Sequence, residues 1–342
     1  MQDFSIHFQH NGATHTLAPG GHYAAPKQQG FRDIATSELR AIVAEVEAGR
    51  PWTDAVARRY AQSHPWLHAI VTSDKRRLHL DTLVPPGDGW ALDIGAGWGQ
   101  TSRPLARTRP VVALEPVSER LAFIKASARQ EGSENRLVYV EADYLEVNFV
   151  TRFQVITAIG VLEWVGAFQD TVDPQERQRA FLRKVRAELA PGGCLVVGIE
   201  NRLGLKYLMG CPDDHTGVPH ISVLPAPRAR TRWKEHSQGD LTCFTYSQAE
   251  LALMLAESGF DDIGFFAAFP DYKLPEKIVP LHDGGAGLNA WLAQEDPPAD
   301  HNGHDGSALD PGLLRSLALR YRALGAAGAA HPFVPSFFVV AR

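Results

Sequence analysis

A glycine-rich turn and two acidic positions are the residues best suited to hold a small polar ligand. Asp93 ends an apolar run, and glycines alternate through residues 95–99, where the missing side chains let the backbone approach a ligand. Glu115 ends the next apolar run and Asp143 ends the one after it. Carboxylates accept hydrogen bonds from hydroxyl and amino groups. These positions predict a ligand site at the carboxyl edge of a parallel sheet, where open α/β sheets bind ligands.

A second set of reactive side chains follows the fifth apolar run. His215 is the preferred general base, because an imidazole with an unperturbed pKa of about 6.5 exchanges protons near neutral pH. Asp213 or Asp214 would orient the imidazole, and Glu200 is the alternative base. The competing interpretation of residues 213–215 is a solvated Pro-Asp turn that only stabilises a loop.

The elements that position these groups follow from hydrophobic patterning. From residue 87 onward, short apolar runs alternate with helical segments, which is typical of a doubly wound parallel sheet covered on both faces. Residues 1–86 read mainly as a helical cap, ended by a cluster of Pro and Gly at 85–89. Within the main domain, 87–342, we expect two insertions at 201–245 and 270–334. Low-complexity residues 283–306 are predicted to be mobile.

Composition excludes several classes of protein. The 342 residues carry a net charge of −5 with charges of both signs interspersed, so nucleic acid is not an expected partner. No apolar stretch approaches the roughly 20 residues that span a bilayer, and the start is not patterned as a signal peptide. The three cysteines have no spacing that suits disulfides or zinc, and no metal is expected. We expect a cytoplasmic location, and a homodimer is compatible with these features.

The glycine turn, Glu115 and the Ala142-Asp143 pair together resemble the class I S-adenosylmethionine-dependent methyltransferases. The resemblance implies a seven-stranded, mostly parallel sheet of order 3-2-1-4-5-7-6, with residues 336–342 as the antiparallel last strand. It also implies that Glu115 binds both ribose hydroxyls, that Asp143 binds the adenine amino group, and that the glycine turn faces the methionine end. The cofactor residues implied in this way are Asp93, Gly95, Ala96, Gly97, Gly99, Glu115, Pro116, Asp143, Tyr144, Gly160 and Val161.

The acceptor side is less defined by pattern. Residues 199–217 and 270–275 resemble segments of bacterial methyltransferases associated with surface polysaccharides and secondary metabolites. We expect O-methylation of a hydroxyl on a sugar or small natural product, with contacts from both sides of the fifth strand. The predicted acceptor contacts are Glu163, Trp164, Asn201, Arg202, Lys206 and Tyr207.

Other functions remain open from the sequence. N-methylation of a small molecule needs little change in the site, and a non-catalytic cofactor-binding subunit would carry the same turn. A nicotinamide oxidoreductase is less favoured, because Gln100 stands where a dinucleotide fingerprint requires its third glycine. The basic run 228–234 is interpreted as a solvated loop in preference to a site for an anionic acceptor.

Overall fold

The computed structural model describes residues 5–25, 30–168, 173–299 and 309–342. The chain divides into two compact units, and each unit combines two separate stretches of sequence. The first unit contains residues 1–159 and 184–196, and the second contains residues 160–183 and 197–342. The chain therefore leaves the first unit at residue 160, returns to it at 184 and leaves it again within a single strand.

The first unit contains the elements that carry the glycine turn and the acidic positions. In chain order they are β1 (Ile6–His10), β2 (Ala13–Leu17), β3 (His22–Ala24), α1 (Thr36–Glu47), α2 (Trp52–Tyr60), α3 (Pro65–Thr72), α4 (Leu78–Leu83), β4 (Ala91–Ile94), α5 (Ser102–Leu105), β5 (Val111–Leu114), α6 (Ser118–Gln130), β6 (Leu137–Glu141), β7 (Asn148–Phe149) and β8 (Phe153–Ile159). Two further elements cross between the units, α7 (Pro174–Glu188) and β9 (Leu189–Glu200).

The sheet of the first unit runs in the order β9-β8-β4-β5-β6-β3. The β8–β4, β4–β5, β5–β6 and β6–β3 pairs are parallel, and Asp93 on β4 lies between Ala113 on β5 and Thr157 on β8. Every residue of β4 and β5 is buried. Continuous apolar runs are what a strand covered on both faces requires, and this explains why these strands could be predicted.

The prediction that residues 1–86 are mainly helical is wrong for the first part of that segment. Residues 6–17 form the antiparallel pair β1–β2, which with β7 makes a three-stranded sheet, and β3 joins the main sheet beside β6. These strands are short and carry alternating polar residues, so only Ile6 and Phe8 mark their buried face.

Helices α1, α2 and α3 do form in the rest of that segment, and they share one apolar core with α6. The core is built on apolar positions at helical spacing, and its largest aromatic contact places Trp98 edge-on to Phe123 with ring centroids 5.0 Å apart. Because Trp98 belongs to the glycine turn, this packing holds the turn against α6.

The second unit contains the remaining elements and the second reactive segment. Its own elements are α8 (Leu205–Leu208), α9 (Ala226–Lys234), α10 (Gln248–Glu257), β10 (Ile263–Phe269), β11 (Lys277–Pro280), α11 (Ala286–Gln294), α12 (Pro311–Ala326) and β12 (Ser336–Ala341). Strand β10 pairs antiparallel with both β11 and β12, and the order in this unit is β11-β10-β12-β9.

Two expectations need correction here. The main sheet has nine strands rather than seven, because β3 is added beside β6 and β11 is added beside β10. The stretch 283–306 contains the ordered helix α11, whose Leu288 and Leu292 are fully buried. Low sequence complexity concealed this helix, and residues 300–306 of the same prediction lie outside the described residues. Within the described ranges, no helix has both the length and the apolar character needed to span a membrane.

Candidate active site

The glycine turn adopts a backbone conformation that other residues rarely reach. Gly95, Gly97 and Gly99 have φ values of +64°, +55° and +78°, in the left-handed region. A Cβ on Gly99 would lie 2.9 Å from Cγ1 of Ile124 on α6, so this position also needs the space. The Gln100 side chain accepts a hydrogen bond from the Trp98 N–H at 3.2 Å, which stabilises the turn.

Glu115 lies directly against that turn. Its Oε2 accepts the Gly97 N–H at 2.9 Å, and its Oε1 accepts the Val117 N–H at 3.1 Å. The side chain is only 2% exposed, and Arg120 lies 3.5 Å from Oε1. The structure therefore brings together the predicted ribose-binding carboxylate and the predicted methionine-binding turn within the first unit.

Asp93 acts on the turn through its neighbours. Its Oδ1 accepts the Thr157 hydroxyl at 2.7 Å, and its Oδ2 accepts the Ser102 hydroxyl. These bonds connect β4 to β8 and to the start of α5. In this conformation the carboxylate fixes the base of the glycine turn.

Asp143 and Tyr144 follow β6, the second strand after β4 along the chain. Asp143 Oδ1 accepts the Leu145 N–H at 2.8 Å and caps a short 3₁₀ turn, while the Tyr144 hydroxyl donates to Glu188 Oε2 at 2.7 Å. Burial, followed by the charge of Glu188, raises the pKa of Tyr144 well above its usual value. The Tyr144 side chain is thus part of a buried network, which leaves its backbone as the part available to a ligand.

Sequence reasoning missed two residues beside Glu115. Arg120 on α6 contacts Asp33 Oδ1 at 3.0 Å, and the Trp98 indole N–H donates to Asp33 Oδ2 at 2.8 Å. Burial opposes the charge on Arg120, but the carboxylates of Glu115 and Asp33 raise its pKa. Asp33 precedes α1 and lies far from Glu115 in sequence, so no local pattern could connect them.

In the second unit, His215 lies between two buried carboxylates. Its Nε2 is 3.6 Å from Glu200 Oε2 and 3.8 Å from Glu163 Oε1, and its Nδ1 is 4.0 Å from Asp213 Oδ1. Glu163 is fully buried and Glu200 is 2% exposed. The edge of the His215 ring also meets Trp164, with centroids 5.2 Å apart. The predicted base, its alternative and two predicted acceptor contacts are therefore one cluster.

Two lysines form ion pairs with carboxylates of this cluster and of the neighbouring Asp214. Lys273 contacts Glu200 Oε1 and lies 3.2 Å from Asp214 Oδ2, while Lys206 lies 3.2 Å from Asp214 Oδ1. Asp214 is therefore paired with ammonium groups, and it is Asp213 that faces the imidazole. Lys273 was not predicted as a site residue, although it lies within residues 270–275, a segment that contributes to the resemblance to bacterial methyltransferases.

The electrostatics follow from burial and proximity. Burial alone lowers the pKa of His215, but Glu200, Glu163 and Asp213 outweigh it and raise that pKa to about 9. Burial raises the pKa of Glu163. For Glu200, burial also acts upward, but Lys273 and His215 bring its pKa below the usual value. The cluster is thus a set of strongly interacting charges.

A cavity of about 60 Å³ opens beside His215 and gives the cluster room for a ligand. Its wall includes Asp213, Thr216, Cys243 and Tyr246. Burial, followed by the charge of Glu163, raises the pKa of the Cys243 thiol to about 12, so this cysteine is a neutral wall residue.

The other predicted acceptor contacts have structural partners. The Asn201 amide donates to the Pro332 and Val334 carbonyl oxygens at 2.9 and 2.8 Å. Arg202 donates to both oxygens of Glu250, at 2.6 and 2.8 Å, and also lines the cavity. Tyr207 is 1% exposed. Gly160 follows β8 and is predicted to contact the cofactor. It has a φ of +70°, and the Tyr272 ring packs closely against its backbone.

Comparison with known proteins found a family match over part of the chain. Residues 91–193 match a family model described as a methyltransferase domain. A comparison with curated protein sequences found no match. Similar solved structures include the CcbJ methyltransferase from Streptomyces caelestis, with 17% identity, 79% of this chain and 89% of that chain covered, and a TM-score of 0.45. The cyclopropane synthase MmaA2 from Mycobacterium tuberculosis is 18% identical, with 78% and 83% covered and a TM-score of 0.43.

The matched region contains β4, the glycine turn, Glu115 and Asp143, which are the features on which the sequence resemblance rests. Over residues 91–193, the chain is therefore similar to the methyltransferase domain that this family model describes.

Proposed function

We propose that this chain transfers the methyl group of S-adenosylmethionine to a hydroxyl group of a sugar or small natural product. The observation that carries the proposal is the buried cluster in which His215 faces Glu200 and Glu163 at 3.6 and 3.8 Å beside a cavity. A hydroxyl acceptor must lose a proton, and this cluster offers groups that can receive it.

The residues that we propose bind the cofactor lie in the first unit. Glu115 binds the ribose hydroxyls, Asp143 binds the adenine amino group, and the Gly95–Gly99 turn accommodates the methionine end. The N–H groups that Glu115 accepts hold its carboxylate in place for this role.

The reaction is an in-line displacement at the methyl carbon. The sulfur–methyl bond breaks while the oxygen–methyl bond forms, and the hydroxyl proton passes to Glu200 or to the neutral form of His215, which the raised pKa of about 9 makes dominant only at alkaline pH. Alignment supplies much of the rate enhancement, because a positioned nucleophile avoids the entropic cost of a bimolecular encounter. Asp214 acts as a positioning residue, since it holds Lys273 against Glu200.

The test is a screen with S-adenosylmethionine against hydroxylated sugars and phenols, read by mass spectrometry of the methyl ether and by release of S-adenosylhomocysteine. We expect Glu200→Gln and His215→Asn to lower kcat by about 100-fold or more, the range typical of acid–base groups. His236→Asn, at an exposed histidine, is the matched control. Full activity in the His215→Asn, Glu200→Gln double variant would reject a proton-accepting role for the cluster.

N-methylation is the second candidate, and one observation favours it. Oε2 of Glu163 and Oε2 of Glu200 are buried without a hydrogen-bond partner among the described residues, and an ammonium group would satisfy both. Acceptors that differ only in carrying a hydroxyl or an amino group at the same carbon separate the two proposals. Methylation of the amine alone would replace the hydroxyl acceptor. Cofactor binding without transfer to any acceptor would favour a non-catalytic subunit.

A further inference from the structure

Each of the two buried glutamates around His215 has one carboxylate oxygen with a polar partner within hydrogen-bond distance and one oxygen without. Glu163 Oε1 accepts the Tyr272 hydroxyl at 3.3 Å, and Glu200 Oε1 contacts Lys273. Oε2 of each carboxylate is buried and has no hydrogen-bond partner among the residues that the structure describes. An unsatisfied buried carboxylate oxygen is costly, so two of them beside one imidazole call for a bound group.

We propose that Glu163, Glu200 and His215 bind a divalent transition-metal ion. One ligand atom from each of these residues lies within 4.8 Å of the others. Ligand atoms about 2.1 Å from one ion stand roughly 3.0 to 3.4 Å apart at ordinary coordination angles. Nε2 of His215 lies 3.6 Å from Glu200 Oε2 and 3.8 Å from Glu163 Oε1, so each distance needs to shorten by only a few tenths of an ångström. Oε1 of Glu163 is also the oxygen that accepts the Tyr272 hydroxyl.

The groups behind these ligands have the arrangement that metal sites use. Asp213 Oδ1 faces Nδ1 of His215, so a proton on Nδ1 would point to a carboxylate and Nε2 would be left for the ion. Asp213 is itself held by the Thr216 N–H and hydroxyl at 2.8 and 2.9 Å. The Tyr272 hydroxyl likewise holds Oε1 of Glu163, and Lys273 holds Oε1 of Glu200.

The local charge also favours a cation. The carboxylates of Glu163, Glu200, Asp213 and Asp214 outnumber the cationic groups paired with them, which are Lys206, Lys273 and the imidazole of His215. Lys273 does not block the site, since it contacts Oε1 of Glu200 and leaves Oε2 unused. One imidazole with two carboxylates suits Mn²⁺, Fe²⁺ or Zn²⁺ better than Ca²⁺, which prefers more oxygen ligands.

The ion would act on the acceptor as a Lewis acid, binding the hydroxyl oxygen and lowering the pKa of that hydroxyl. His215 would then serve as a ligand, and the ion would be the group that activates the acceptor. This role rests on the proposed function, whereas ion binding itself does not.

The experiment is a Mn²⁺ titration of the full chain after treatment with EDTA, followed by electron paramagnetic resonance of the free ion. We expect one Mn²⁺ per chain and at least tenfold weaker binding in Glu163→Gln and in His215→Asn. Asp213→Asn, which acts through His215, should weaken binding about 10- to 100-fold. His236→Asn and Glu257→Gln, at exposed positions of the same unit, are the matched controls.

Circular dichroism establishes that each variant is folded before its affinity is compared. A folded wild-type chain that binds no Mn²⁺, or binding that survives all three variants, would overturn the ion site. Methyl transfer in excess EDTA with no bound ion would overturn the Lewis-acid role of the ion and leave the proposed function standing. One bound Mn²⁺ without methyl transfer to any acceptor would support the site and count against the proposed function.

Discussion

At the scale of single residues, two buried tyrosines of the first unit show how much a partner matters. Tyr144 is 4% exposed and donates to Glu188, whose other oxygen accepts the Phe149 N–H at 2.9 Å. Tyr139 is 1% exposed, and its hydroxyl has no hydrogen-bond partner among the described residues. The two positions differ in hydrogen bonding more than in burial.

Removing each hydroxyl should therefore have different consequences. We expect Tyr144→Phe to lower the free energy of unfolding by about 1–3 kcal/mol, because a buried carboxylate oxygen loses its donor. Tyr139→Phe, the matched control, should be neutral or slightly stabilising. Urea unfolding of both variants measures the difference, and equal losses would contradict the role of Glu188 as the determining partner.

Glu115 provides the residue-level test of the cofactor site. Glu115→Ala should weaken binding of S-adenosylhomocysteine by about 1–3 kcal/mol, because charge-assisted hydrogen bonds to the ribose would be lost. Calorimetric titration measures this affinity. Glu119→Ala on the same chain segment is the control, since Glu119 pairs with Arg40 on α1. Unchanged affinity in a folded Glu115→Ala protein would refute the ribose contact.

At the scale of elements, the glycine turn and α6 must fit together closely. Gly99→Ala adds a Cβ that lies 2.9 Å from Ile124 and also places alanine in a left-handed conformation. Gly132→Ala meets no atom within 4 Å and has a similar φ of +73°, so it isolates the backbone cost. We expect Gly132→Ala to cost about 1 kcal/mol and Gly99→Ala to cost a further 1–3 kcal/mol. Thermal unfolding would contradict this account if both variants lost the same stability.

Elements with a strong repeating pattern were the ones that sequence could predict. The buried strands β4, β5, β6 and β8 are apolar throughout most of their length, and α1 carries Leu39, Ile42, Val43 and Val46 at helical spacing. The half-exposed strands β2 and β3 have no such signal, and α11 was concealed by its glycines and alanines.

The site was predictable in part for a related reason. Gly95, Glu115 and Asp143 follow strands whose ends the patterning reveals, so their common edge could be inferred. The pairing of Arg120 with Asp33, and of Lys273 with Glu200, depends on tertiary packing between distant segments. The oxygens of Glu163 and Glu200 that lack partners are likewise visible only when burial is known.

At the scale of the whole molecule, each unit needs sequence from two places. A fragment ending at Ile159 lacks Glu188, the partner of Tyr144, and lacks the fully buried residues 194–196 of β9. We expect the fragment 1–159 to show no cooperative thermal transition and the fragment 1–196 to regain one. Differential scanning calorimetry makes the comparison, and a cooperative transition in the shorter fragment would show that residues 184–196 are dispensable for that unit.

The interrupted first unit also has a consequence during synthesis on the ribosome. When Ile159 emerges, β8 has β4 on one side, but the strand that lies on its other side has not yet left the ribosomal tunnel. An apolar strand with an unpaired edge is prone to associate with other chains. The nascent protein must pass through this exposed stage until residue 196 has left the tunnel, so the delay between these two points is where chaperone binding would have its greatest effect on yield.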